Sequence, residues 1–228
     1  MTDVFWSVSR ATIAPLIQLT WRVRVEGREH IPKSGPAVIA SNHLSFLDHF
    51  ILPLATWRQI TFISKAEHFD DPVKRFFFRR WGVIPLKRGA GDQEAFQRSV
   101  QVLQEGQLFG IYPEGTRSLD GKLHRGRTGV ARIALKGRAP IIPAAMVGTF
   151  EAMPKGKHVP RLYRLGVRIG PPLDVSEFYG MEEDRAALRE VTDRVMRAIQ
   201  EVSGQEYVDE YQFNPAYAPN ESATEGGA

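Results

Sequence analysis

A histidine and an aspartate stand five residues apart in the segment Ser41-Asn42-His43-Leu44-Ser45-Phe46-Leu47-Asp48. A carboxylate on one imidazole nitrogen selects the tautomer and raises the basicity of the other nitrogen. That second nitrogen can then take a proton from an alcohol. On one continuous helix this spacing puts the two side chains about 140° apart. His43 and Asp48 therefore meet only if the chain turns between them, with His43 in a loop and Asp48 at a helix start. Taken alone, the pair reads more readily as an exposed histidine beside a helix-capping aspartate. A second segment, Tyr112-Pro113-Glu114-Gly115-Thr116-Arg117-Ser118, has the makings of an anion site. Gly115 lets backbone approach a ligand. Thr116, Ser118 and main-chain N–H groups can donate to phosphate oxygens, and Arg117 can pair with phosphate through two N–H groups. Glu114 is available to hold Arg117 or the loop. The plainer alternative is a Pro-Glu-Gly turn on a charged surface.

The elements that must position these residues follow from apolar periodicity. Val4–Trp21 reads as a helix with a wide apolar arc and tryptophans near both ends, interrupted by Pro15. Such an arc suits a helix lying in a bilayer surface, or one packed on the domain's own core. Strands are expected at Val23–Glu26, Ala37–Ala40, Ile60–Ser64, Val83–Leu86, Leu108–Tyr112, Ile141–Met146 and Tyr163–Ile169. Helices are expected from Asp48 through Leu54, at Asp92–Glu105 and Thr128–Lys136, and along Leu188, Val191, Val195, Ile199 and Val202 with Gly204 as stop. Strands alternating with helices predict a single α/β domain with a mostly parallel central sheet flanked by helices. The expected organisation is an N-terminal amphipathic segment over 1–22, a domain over 23–204, and a tail over 205–228 that is poorly ordered at its Pro- and Gly-rich end. Both chemical loops follow apolar strands, where α/β proteins place their sites.

Composition narrows the classes. In 228 residues there is no cysteine, which excludes disulfides, thiolate metal sites and a cysteine nucleophile. Thirty Lys+Arg against 26 Asp+Glu give a formal charge of +4. Basic residues cluster between Arg58 and Lys87 and again between Lys122 and Arg138. Clusters of this kind favour an anionic partner. No recognised nucleic-acid module accompanies them, and no G-x-S-x-G elbow marks a serine hydrolase. No stretch reaches 18 apolar residues, and the N-terminus shows neither a basic n-region nor a small-residue cleavage site. The run Phe76-Phe77-Phe78 beside Arg79-Arg80 could meet a membrane or be buried in a helix.

Considered together, Asn-His-x-Ser-x-x-Asp followed about 70 residues later by Pro-Glu-Gly-Thr-Arg-Ser resembles the glycerolipid acyltransferase family, best known through the 1-acylglycerol-3-phosphate O-acyltransferases. Two further motifs lie in the family's order: the strand Gly82-Val83-Ile84-Pro85-Leu86 leading to Lys87-Arg88, and the proline-containing strand Ile141-Ile142-Pro143-Ala144-Ala145-Met146. The similarity runs from about Val25 through Leu173. Two positions depart from the family's pattern: Tyr112 stands where phenylalanine is usual, and Leu86-Lys87 where many relatives carry an aspartate or aromatic.

The resemblance implies that His43 is the general base and that Asp48 orients it. Arg88 and Arg117 bind the acceptor's phosphate, with Glu114, Gly115 and Thr116 shaping that loop and Lys65 adding a basic group. The reaction implied is transfer of a fatty acyl group from an acyl-CoA or acyl-carrier-protein thioester to the sn-2 hydroxyl of 1-acylglycerol-3-phosphate, giving phosphatidic acid. The resemblance implies no metal and no bound cofactor, no nucleic acid, and a place at the cytoplasmic face of the membrane. Alternatives are the same chemistry on glycerol-3-phosphate, another lysophospholipid or a glycolipid, and a non-enzymatic phospholipid binder.

Overall fold

The computed structural model describes residues 4–65, 82–86 and 91–212, with Asp70, Pro72, Arg75, Phe76 and Phe78 between them. Seven strands form one sheet: β1 (Arg24–Glu26), β2 (Ala37–Ser41), β3 (Ile60–Lys65), β4 (Val83–Leu86), β5 (Leu108–Ile111), β7 (Ile141–Val147) and β8 (Gly166–Ile169). Their order is β1-β8-β7-β2-β5-β3-β4. Every pairing is parallel except β7 with β8. The strand expected from Tyr163 begins at Gly166, because residues 156–164 are all exposed and leave nothing to alternate against. β6 (Leu123–His124) pairs separately with β9 (Tyr207–Val208).

The two faces of the sheet follow from period-two alternation. In β2, Ala37 and Ile39 join one core while Val38 and Ala40 join the other. In β7, Ile142, Ala144 and Met146 face the first core and Ile141 the second. All five residues of β2 are buried, as a central parallel strand requires. Helices α3 (Gly91–Gln104), α4 (Gly129–Gly137) and α6 (Arg185–Ser203) bury their apolar stripes in the second core through Leu103, Val130, Leu135, Val191, Val195 and Ile199. Asp184 caps α6 by accepting from the backbone N–H groups of Ala186 and Ala187, and Gly204, at φ 71°, ends it in a left-handed turn. The other face is covered by α2 (Asp48–Ile51), the 3-10 turn Leu52–Ala55, α5 (Thr149–Ala152) and one side of α1 (Val4–Trp21). The helix expected to reach Leu54 as one unit thus changes to 3-10 geometry at Leu52, where Pro53 has no N–H to continue the ladder.

Among the described side chains of α1, Ala14, Ile17 and Trp21 pack on the core, while Val8, Leu16 and Leu19 are exposed. Among the described residues, no helix is long and apolar enough to cross a membrane. Of the phenylalanine run, Phe76 is exposed and Phe78 buried; Phe77, Arg79 and Arg80 lie outside the described residues.

Among the described residues, Arg58 of the first basic cluster and most of the second are engaged inside the chain. Arg58 donates to the carbonyls of Pro32, Gly35 and Gly106, so it staples two turns rather than facing a partner. Lys122 pairs with Glu206, Arg125 with Asp209, Arg132 with Glu183 and Lys136 with Glu182. These surface pairs add little stability, but they cancel the charge that sequence alone leaves looking free.

Gly110 in β5 makes room for an aromatic wall. A Cβ there would stand 2.3 Å from Phe62 Cε1 and 2.8 Å from Ile60 Cγ2. Gly110→Ala should therefore lower stability by about 1–3 kcal/mol, seen as a lower urea midpoint at unchanged slope. An unshifted midpoint would mean that the Phe62 ring swings aside at no cost.

Candidate active site

β2 and β5 are parallel neighbours, with Ala40 opposite Ile111. The chain leaves β2 toward β3 and leaves β5 toward β7, on opposite sides, so the crevice beyond their carboxyl ends is a topological switch point. Both chemical loops enter that crevice.

The first loop turns as the five-residue spacing demands. His43 Nδ1 lies 2.8 Å from Asp48 Oδ2, and Asp48, at the start of α2, is fully buried. The same Oδ2 accepts from the backbone N–H groups of Leu44 at 2.7 Å and Ser45 at 2.9 Å. Two backbone N–H groups already donate to that oxygen, so the tautomer with Nδ1–H toward Asp48 completes the arrangement and leaves Nε2 as acceptor. Ser45 donates to the Met153 carbonyl, locking the turn from behind. Asn42 extends the β2–β7 ladder with its side chain: Oδ1 accepts from Met146 N–H, while Nδ2 donates to the Met146 carbonyl and to Gln205 Oε1. Gln205 in turn donates to the Gly121 carbonyl. Residues 205–212, assigned from sequence to the tail, are therefore packed against the site loops; residues 213–228 lie outside the described part.

The second loop is joined to the first through main chain. Ser118 N–H donates to the His43 carbonyl at 2.7 Å. Glu114 is buried, and both of its oxygens accept backbone N–H groups, one from His43 and one from His124, each at 3.0 Å. Glu114 thus holds the loops and not Arg117. Gly115 sits at φ 72°, and its N–H closes a turn onto the Tyr112 carbonyl. The Tyr112 ring stacks on His43 at 3.9 Å, and His49 meets both rings edge-on. The imidazole is fixed in plane by stacking and in rotation by Asp48. Burial, then the nearby Asp48 charge, raises the Tyr112 hydroxyl above its ordinary pKa, and that hydroxyl has no partner among the described residues.

The remaining site residues divide by position. Arg117 and Thr116 are half-buried on the second loop. Lys155, which the sequence reading omits, donates to Thr116 Oγ1 at 3.3 Å. Burial and then the Arg117 charge lower the Lys155 ammonium's pKa. No carboxylate of the described residues comes within ion-pair distance of either cation. Two like charges held together beside a hydroxyl form a site for an anion. Lys155 escapes a sequence reading because it follows the last strand motif by several residues, in an irregular segment. Lys65 ends β3, with its side chain outside the described part, and Arg88 lies outside it altogether. Among the described residues, no group of three or more His, Cys, Asp or Glu side chains could hold a metal ion.

An α/β sheet carrying a buried His–Asp pair beside a basic loop at its switch point defines a class of group-transfer sites. The chain belongs to the Acyltransferase family, whose family model matches residues 22–147. It is 36% identical over 139 residues to the chloroplastic 1-acyl-sn-glycerol-3-phosphate acyltransferase LPAT1 of Arabidopsis thaliana, covering 60% of this chain and 39% of that protein. It is 27% identical over 189 residues to the 1-acyl-sn-glycerol-3-phosphate acyltransferase of Bacillus subtilis, covering 81% of this chain and 92% of that one. The crystal structure of the LPA acyltransferase PlsC from Thermotoga maritima superposes with a TM-score of 0.66 at 27% identity, over 88% of this chain and 83% of that one. The chain thus spans about two-fifths of the plant relative and most of the bacterial ones.

Two predictions follow from the carboxyl and the phenol. Burial raises the Glu114 pKa to about 8, against the pull of its two N–H donors and with help from Asp48 and Asp120. The folded chain then binds more protons than the unfolded one between the ordinary carboxyl range and about pH 8, so this group's contribution to stability falls as pH rises through that window. The limiting slope is about 1.4 kcal/mol per pH unit. Urea titrations across the window should show the decline, and Glu114→Gln should flatten it while lowering stability overall. Tyr112→Phe keeps the ring stacked on His43 and removes an unpartnered hydroxyl, so its melting temperature should equal or exceed that of the parent. A clear drop would reveal a partner for the phenol.

Proposed function

We propose that the protein transfers a fatty acyl group from an acyl thioester to the sn-2 hydroxyl of 1-acylglycerol-3-phosphate. The observation that carries this reading is the His43–Asp48 pair on one loop, hydrogen-bonded to the loop that carries Arg117 with Lys155 beside it. In the proposed reaction His43 Nε2 removes the proton of the acceptor hydroxyl as its oxygen attacks the thioester carbonyl. Asp48 stabilises the imidazolium that forms. Collapse of the tetrahedral adduct breaks the carbon–sulfur bond, and the imidazolium returns its proton to the departing thiolate. No covalent acyl-enzyme, metal or bound cofactor is required. Arg117 and Lys155, with Arg88 and Lys65 as further cations, bind the acceptor's phosphate. The names of the relatives support phosphate-bearing glycerolipid as the acceptor class. Coenzyme A and acyl-carrier protein are both admissible as thiol carriers.

The exposed Val8, Leu16 and Leu19 of α1 support a position on the membrane surface at the cytoplasmic face, where such an acceptor resides. Removing residues 1–22 should weaken vesicle binding more than it lowers the melting temperature. Unfolding of the truncated chain would instead assign the helix to the core.

His43→Ala should reduce turnover by at least about a hundredfold with lipid binding retained. Undiminished turnover would overturn the mechanism and leave a lipid-binding protein. Lys155→Met and Arg117→Ala should each raise the acceptor's KM about tenfold or more while leaving the donor's KM near that of the parent, with Lys155→Arg retaining most function. Equal effects on both substrates would remove the phosphate assignment. Glycerol-3-phosphate, other lysophospholipids and glycolipids assayed beside 1-acylglycerol-3-phosphate decide the acceptor.

A further inference from the structure

Between α5 and β8 the chain runs as an irregular strap, and every residue from Gly156 to Arg164 is exposed. Its geometry is nonetheless pinned. Arg161 N–H donates to the Ala152 carbonyl at 2.8 Å, and the Trp21 indole N–H donates to the Arg161 carbonyl at 3.1 Å. At the far end Arg164 O crosses so close to Gly148 that a Cβ there would stand 2.2 Å away. The strap is thus tied to α5, to the end of α1 and to the strand that carries Asn42's partner Met146.

What it displays is unusual for a pinned segment. Val159 is 80% exposed, Leu162 78% and Tyr163 49%. Interleaved with them are Lys157, Arg161 and Arg164, and no Asp or Glu occurs between Ala152 and Leu165. Elsewhere Lys122, Arg125, Arg132 and Lys136 each pair with a carboxylate, yet these three cations have none within ion-pair distance among the described residues. Concavities flank the strap on both sides. One, of about 750 Å³, lies toward α5 and has Glu151 at its rim; the other, of about 490 Å³, is shared with Trp21 and Arg22 at the end of α1. The patch therefore continues into the exposed face of α1. Projecting apolar side chains among unpaired cations match the boundary of an anionic bilayer, where the chains enter the acyl region and the cations meet lipid phosphates.

We propose that residues 156–164 form a docking surface for an anionic lipid bilayer, distinct from the α1 contact and continuous with it. This rests on the reading of the acceptor as a membrane lipid. Two attachments on adjacent elements fix the domain's tilt, so that the crevice holding His43 faces the layer from which that lipid comes.

The full chain should be sedimented with vesicles of phosphatidylcholine and of a phosphatidylcholine–phosphatidylglycerol mixture. The parent protein should prefer the mixed vesicles, and added salt should weaken the preference. Replacing Lys157, Arg161 and Arg164 by Gln should cost roughly fivefold in partitioning for each cation removed, on mixed vesicles only. Val159→Ser with Leu162→Ser should weaken binding to both vesicle types. All these side chains are exposed, so melting temperatures should hold; if the triple variant melts early, Arg164→Gln alone decides the charge effect. Acylation of a water-soluble, short-chain acceptor should be unaffected by the strap variants, whereas acylation of a vesicle-embedded acceptor should fall. Strap variants that bind like the parent, while Leu16→Ser with Leu19→Ser does not, would overturn the strap and leave α1 as the contact. Equal binding of neutral and anionic vesicles would overturn the anionic choice. Failure to acylate any acceptor would instead overturn the proposed reaction, with vesicle binding still deciding the surface.

Discussion

A carboxyl group buried between two loops needs hydrogen-bond donors, and burial still disfavours its charged form. Glu114 lies in that position, and its donors are the main-chain N–H groups of His43 and His124. One oxygen holds the loop after β2 and the other holds β6, so one side chain on the loop after β5 ties both to it. Ser118 N–H on the His43 carbonyl adds a second tie at the same residue. His43 thus has its backbone fixed from the second loop and its ring fixed by Asp48 and Tyr112. A ring held by these contacts has one orientation favoured over others, which lowers the reorganisation that any proton transfer at it would need.

The same economy governs the charges. Four basic side chains of the second cluster are spent on carboxylates of the loop before α6 and of the segment after it. Arg58 is spent on three carbonyls. Among the described cations without a carboxylate partner are two neighbouring groups: Arg117 with Lys155 by the second loop, and Lys157, Arg161 and Arg164 on the outward strap. Unpaired positive charge thus stands beside the second loop and on the strap next to it, although the net charge of the chain is modest.

Much of the architecture was legible along the chain. The full burial of β2 and the stripes of α3, α4 and α6 are stated by apolar spacing, and Gly204 stops α6 through a left-handed conformation that glycine adopts at no cost. The antiparallel insertion of β8 was not legible, since a strand's direction depends on the path of the irregular strap before it. Nor was the role of residues 205–212. Their sequence has the polar, Pro-flanked look of a tail, yet Gln205 completes the hydrogen bonding of Asn42 and Tyr207–Val208 pairs with β6.

For the site, the sequence by itself determined the chemical types and their order: an imidazole and a carboxylate in one loop, and a glycine, a hydroxyl and an arginine in the next. Spacing also set a condition, that five residues bring His43 to Asp48 only through a turn. Whether that turn exists was decided by the tertiary structure, through three donors on Asp48 Oδ2 and the anchoring of Ser45 on Met153. Tertiary structure alone decided that Glu114 serves the backbone, that Lys155 joins Arg117, and that four basic residues of the second cluster pair with carboxylates. The reason is common to all three. Residue type fixes what a group can donate, accept or repel, but its partners lie 10 to 84 positions away along the chain, and only folding brings them within a hydrogen bond's length.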